Sequence, residues 1–483
     1  MAFNSLSFAV FFCLFLFAYW RLVQKSLTLQ NLLILAGSYL FYAWWDWRFL
    51  FLLIGNTALN FLLGIAIADT KKEADRSWLL AAGLIQGLGC LFFFKYYNFF
   101  AVSLSNCFSS LGFKADMHTL NIILPLGISF YTFRTISYLL DVKRNKIEPV
   151  RDWLAFFCYV AFFPCLTAGP IDRAGTLVPQ LQVRRVFDYD QASDGMRQIL
   201  WGLFKKVVIA DNCAIFTSDV FDQYKTLPGS SLLFGALLFT IQLYADFSGY
   251  SDMAIGIASL LGFNVTRNFN YPFFAENIVD YWRRWHISLT TWLTDYVFTP
   301  LSIRFRDYGN GGLIAAIIIT FTAIGIWHGA NFTYAVYGFL NGCFYIPAIL
   351  SGTMFKRKKT AAGPTRFSIK AFSNRVGTFV LVSFSLIIFR AESLGQALGY
   401  YKGIFSTSLF SRLVITEKRY TLAPLAFILL MLSVEWWQRD KRHALQIGFI
   451  KRFSVRALIY FGLLAIVLVF SATKNTDFIY FKF

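Results

Sequence analysis

A chain of 483 residues that is 57% hydrophobic and 19% aromatic but only 15% charged does not have the composition of a soluble domain, in which about a quarter of the residues carry charge. Its net charge of +19 raises the question of nucleic acid, yet the lysines and arginines stand in short runs between apolar stretches of roughly 20 residues, the pattern of cytoplasmic loops in a polytopic membrane protein. Nucleic acid is thereby excluded as the expected partner, and membrane lipids take its place.

In chain order, the first apolar segment, 8–20, has no basic region before it and no small-residue cleavage site after it, so it is expected to remain as a span. Further spans are expected at 27–45, 49–68, 78–100, 120–140, 196–216, 232–261, 313–327, 332–350, 376–389, 422–437 and 458–470. Residues 153–168 end in FFPCLTAGPIDR, whose prolines and glycine suit a re-entrant hairpin as well as a crossing. The expected fold is all-α, a polytopic transmembrane helical bundle of about 11–13 spans plus re-entrant segments around a central tunnel. No repeat, low-complexity tract or polar linker divides it, so 1–483 reads as a single domain.

Basic loops at Lys71, Lys72 and Arg76, at Lys143 to Arg151, at 356–370 and at 439–456 are expected on the cytoplasmic side, which leaves the polar loop 106–116 outside. Lys418 and Arg419, in an expected outer loop, run against this pattern. Of the seven cysteines only Cys107 falls in a polar loop, and with no CxxC spacing neither a disulfide framework nor a metal site is supported.

Two of the four histidines, His286 and His328, sit in apolar aromatic sequence, whereas His118 and His443 lie in polar connections. Read as a helix, 281–296 places Trp282, Trp285, Leu289 and Trp292 on one face. Arg283 and Arg284 fall on other faces, where they can meet phosphates. The same pattern suits an interfacial helix with its tryptophans at headgroup depth. His328 occupies the turn IWHGAN between two spans, deep in the membrane or near its outer side, with Asn331 next to it. A neutral imidazole there can accept a proton from a hydroxyl, and the alternative is a packing histidine bonded to a carbonyl. His286 approaches from the cytoplasmic side, so a funnel between the two histidines is the simplest cavity.

The run YADFSGYSDMAIG puts Asp246 and Asp252 inside an apolar span, either to orient a histidine or pair with an arginine, or as a packing network. Lys95 and Arg134 read as snorkelling or pairing residues. The final DFIYFKF is either an aromatic anchor or a segment in which the Tyr480 phenol accepts an acyl group.

The pieces LPLGISFYTFRTISYLLDV (124–142), AGPIDRAGTLVPQL (168–181), QLYADFSGYSDMAIGIA (242–258), NFNYPFFAENIVDYWRRWHISLTTWL (268–293), IWHGANFTYAVYGFLNG (326–342) and FIYF (478–481) resemble the membrane-bound O-acyltransferase family. They are similar in particular to its bacterial alginate O-acetyltransferase branch, with a family core at 120–350 and an aromatic tail at 474–483. The resemblance implies His328 as the central catalytic residue, His286 as the second histidine and Tyr480 as the acyl carrier. Arg283, Arg284, Trp282 and Trp285 are the candidates on the donor side, and Asp246, Asp252 and Asn331 are expected in a supporting polar network. Asp280 stands where glutamate is common and Thr294 replaces an arginine, so Arg304 and Arg306 join the donor-side candidates.

No bound cofactor is implied. Acetyl-CoA, or another acyl-CoA, is the expected donor, with tetrahedral charge met by N–H donors or by protonated His286. The expected partner is an extracytoplasmic protein of SGNH-hydrolase-like fold, through which the polysaccharide acceptor is reached indirectly, and the expected location is the bacterial cytoplasmic membrane. A transporter or flippase, with the histidines relaying protons, is the runner-up, although no second copy of the IWHGAN hairpin accompanies it. A non-catalytic scaffold that docks the external partner is the third reading.

Overall fold

The computed structural model describes residues 1–112, 119–356, 368–415, 418–471 and 478–479. Tyr480 and His118 lie outside the described residues, as does most of the basic loop before residue 368. Among the described residues every regular element is helical, in keeping with a backbone that must satisfy its own polar groups in lipid.

Among the described residues seven helices are long and apolar enough to cross a membrane: Arg48–Asp69, Glu73–Ser110, Gly229–Leu260, Arg306–His328, Phe332–Leu350, Ile369–Arg390 and Phe453–Phe470. Shorter apolar helices run Leu6–Leu22 and Ala423–Trp437. The protein is thus all-α and polytopic, with fewer long apolar helices than the 11–13 expected spans, and the difference has local causes. In the 120–140 stretch the helix begins only at Ile128 and runs 16 residues to Lys143, nearly all of them buried. The 153–168 stretch breaks at Phe162 into helices of 9 and 4 residues; the longer rises about 14 Å, half of a bilayer core of about 30 Å. Neither piece is long enough to cross the core by itself. The 196–216 stretch passes through a π-helical segment, Phe204–Ala210, that carries buried Lys205 and Lys206.

By its contacts the chain forms two compact units, Met1–Ile199 with Tyr250–Thr266, and Leu200–Gly249 with Arg267–Phe483. No composition shift marks these boundaries. In the first unit Arg134 is fully buried, and its guanidinium donates to the carbonyls of Tyr159, Val160, Cys165 and Pro170. Those carbonyls belong to the broken 153–170 segment, which no continuous helix satisfies. Arg134 is therefore a buried clamp and does not snorkel.

In the second unit, glycines set how closely helices approach. A Cβ at Gly325 would overlap the Tyr334 carbonyl oxygen, and one at Gly338 would overlap that of Phe321. The hairpin of Arg306–His328 and Phe332–Leu350 is therefore packed backbone to backbone. A Cβ at Gly249 would stand 2.8 Å from the Gly202 carbonyl oxygen and 3.2 Å from the Lys206 amide nitrogen, so residues 229–249 lie directly against 200–210.

Candidate active site

The 281–296 stretch is not one helix. Asn277 caps a short helix, Ile278–Trp282, by accepting from the Asp280 amide at 2.8 Å, and a second helix, Ile287–Leu293, begins after His286. Between them His286 adopts φ 44° and ψ 53°, a left-handed conformation uncommon outside glycine. Neighbouring backbone holds it there. The Asn268 carbonyl accepts from the Ile287 amide at 2.8 Å, its side-chain oxygen accepts from the Ser288 hydroxyl at 2.6 Å, and the Asn270 amide donates to the Arg284 carbonyl at 2.9 Å. Pro300 sits in the first turn of a further helix, Thr299–Arg304, where its missing N–H costs no helical hydrogen bond.

The tryptophan face points into the protein. Trp282, Trp285 and Trp292 are buried; Trp282 meets Phe321 edge-on at 5.0 Å, and Trp285 stacks on Tyr281 and abuts Phe269. This excludes the interfacial helix with tryptophans at headgroup depth. Arg283 donates to the Met354 carbonyl at 2.7 Å, and Arg284 pairs with Asp280 at 3.0 Å.

His286 and His328 are both buried. The His286 ring stands edge-on to Phe247 at 4.6 Å and 6.1 Å from the Trp327 ring; Trp327 meets His328 at 4.8 Å, and His328 meets Phe389 edge-on at 5.1 Å. The two histidines thus flank one indole in a continuous aromatic row. His328 is the last residue of its helix, and Asn331 opens the next by accepting from the Thr333 amide at 3.0 Å while donating to the Glu392 carbonyl at 2.8 Å. Asn331 therefore shapes the turn that presents His328.

His286 lies outside the long apolar helices, and burial lowers its pKa to about 3. The ring is then neutral at neutral pH, which removes the expected protonated His286 as a partner for tetrahedral charge.

Asp246 and Asp252 part company, because six positions at about 100° per residue put them on different faces of a helix. Asp252, in the first unit, accepts from Gln198 at 2.8 Å. Asp246, in the second, pairs with Lys206 at 2.7 Å, and Lys206 also bridges Asp211 at 2.8 Å. Beside them Lys205 pairs with Glu435 at 3.8 Å and donates to Ser248 at 2.8 Å, and the Tyr244 hydroxyl donates to Glu435 at 2.8 Å. Lys205, Lys206, Asp211 and Glu435 went unremarked in the sequence reading. The signal was there: LFKKVVIAD and LSVEWW place charges inside apolar stretches, where each needs a partner.

The sequence model of MBOAT, the membrane-bound O-acyltransferase family, matches residues 4–387. The chain is 39% identical to a probable alginate O-acetylase, AlgI, of Pseudomonas aeruginosa PAO1 over 78% of this chain and 70% of that one. It is 35% identical to the corresponding protein of Pseudomonas putida KT2440 over the full length of both. It is also 30% identical to a peptidoglycan O-acetyltransferase of Helicobacter pylori over 95% of this chain and 92% of that one.

Proposed function

The chain belongs to the membrane-bound O-acyltransferase family and is a multi-pass membrane O-acyltransferase, and we propose that it moves an acetyl group from cytoplasmic acetyl-CoA through a central tunnel for O-acetylation of an extracytoplasmic polysaccharide. The observation that carries this reading is the burial of His286 and His328 on either side of Trp327. The names of the full-length relatives, alginate and peptidoglycan acetylases, point to a polysaccharide acceptor. Membership of a transferase family replaces the transporter reading.

In the proposed reaction His328 takes the proton of an incoming hydroxyl, and the oxygen attacks the thioester carbonyl. The C–S bond breaks, the CoA thiolate leaves and recovers the proton from the His328 imidazolium, and an O-acyl ester remains. His286, neutral, offers one ring N–H to the developing oxyanion. Arg283 and Arg284 meet the donor's phosphates by exchanging their present bonds to the Met354 carbonyl and to Asp280. Trp282 and Trp285, with their rings in the core, act as the donor-side wall. Tyr480 follows Ile479 in sequence and supplies the first acceptor hydroxyl. A partner of SGNH-hydrolase-like fold completes transfer from the outer side of the bacterial cytoplasmic membrane.

Membrane vesicles from cells making the acceptor polymer, given radiolabelled acetyl-CoA, test this directly. Wild type is expected to release CoA and label the polymer, and His328→Ala to lose at least 100-fold in both. Wild-type activity in His328→Ala would end the proposal, whereas full activity in Tyr480→Phe would remove only the tail relay.

A further inference from the structure

Two successive residues of the Gly229–Leu260 helix receive the last described residues of the chain. One Asp246 oxygen faces Lys206 at 2.7 Å, and the other accepts the backbone amide of Ile479 at 2.8 Å. The next side chain, Phe247, packs on the Phe478 ring at 5.8 Å and edge-on against His286 at 4.6 Å. Phe478 is 5% exposed, so its ring is seated in the protein and separated from His286 by a single aromatic side chain.

The charges explain why an amide binds there. Among the described residues Lys205 and Lys206 stand against Asp211, Asp246 and Glu435, two cations beside three carboxylates, all five of them buried. A buried carboxylate is stable only when its oxygens are matched by donors. Lys206 divides its ammonium between Asp211 and Asp246, and the Ile479 N–H supplies a further donor to the second. The close approach permitted at Gly249 is what brings the Lys206 backbone within reach of this helix.

We propose that Asp246, held by Lys206, is a docking site for the chain's own C-terminal segment. In this role Asp246 is a positioning residue: it anchors the 478–479 backbone so that Phe478 presses on Phe247 and fixes the ring beside His286. The proposal deepens the acyl-transfer reading and rests on it only for its activity arm.

The test uses the full-length protein in nanodiscs, with hydrogen–deuterium exchange read at the Ile479 amide. Wild type is expected to be protected, and Asp246→Ala to exchange at least tenfold faster. Asp246→Asn keeps a carbonyl acceptor and is expected to retain most of the protection. Phe478→Ala leaves every buried charge in place, so it reads the docking even if Asp246→Ala disturbs folding. It too is expected to raise Ile479 exchange at least tenfold, and the double variant is expected to be no worse than the worse single variant. Exchange in Arg306–His328 serves as the folding control.

Unchanged Ile479 exchange in Phe478→Ala, or in Asp246→Ala with the control intact, would overturn the docking site. Strictly additive effects in the double variant would overturn the coupling between its two contacts. Should exchange follow expectation while wild type releases no CoA, the transferase reading fails and the docking stands.

Discussion

Burial moves the His286 pKa from its ordinary value of 6.5 down to about 3, and linkage gives the sign of the consequence. Between those values the unfolded chain binds a proton that the folded one refuses, so stability rises with pH across the interval and is fully present above about 6.5. The slope from this one group reaches about 1.4 kcal/mol per pH unit. His286→Asn keeps a side chain that tolerates left-handed backbone and removes the titration. Thermal unfolding of the purified protein from pH 4 to 6.5 is therefore expected to show a flatter pH dependence in this variant, and parallel curves would refute the assignment. At this scale the sequence announced the two histidines by their apolar setting. It did not announce the conformation of His286, which depends on Asn268 and Asn270 almost 20 residues earlier. Nor did it announce the partners of Asp246, which come from Lys206 and from the far end of the chain.

Among the elements, the hairpin that presents His328 depends on the absence of side chains. Gly338→Ala forces a Cβ against the Phe321 carbonyl, and since that contact is backbone the helices must separate. A loss of about 1–3 kcal/mol is expected, with a several-fold drop in acyl transfer as His328 shifts relative to Trp327. Gly377→Ala is the matched control: it lies in the Ile369–Arg390 helix with open space around it, and it is expected to be neutral or slightly stabilising. Thermal inactivation of the two variants side by side checks both statements. Spacing located this hairpin and most of the apolar helices, but it misread 281–296 as one helix. Periodicity reports which residues share a face; it does not register a chain that turns at His286 and restarts with the same apolar side inward.

For the whole molecule, the basic loops carry the expectation that 106–116 lies outside the membrane; Cys107, in the last turn of the Tyr97–Ser110 helix, is an exposed free thiol at that end. A membrane-impermeant maleimide added to spheroplasts is expected to label wild type, with the label lost in Cys107→Ser. Labelling that requires lysis would invert the orientation and place His286 on the side away from the proposed acyl-CoA donor.

The sequence by itself determined the solvent, the fold class and the family. A chain rich in aromatic residues, with its charges gathered between apolar stretches, has few other ways to satisfy its backbone, and the six motifs that resemble the family are contiguous words. Tertiary structure alone decided which charges stand together, that Trp282 and Trp285 are core residues, and that Trp327 brings His286 and His328 to one place. Those facts join positions tens to hundreds of residues apart. A one-dimensional pattern records what each residue prefers to be near, and only packing chooses among the partners that would satisfy it.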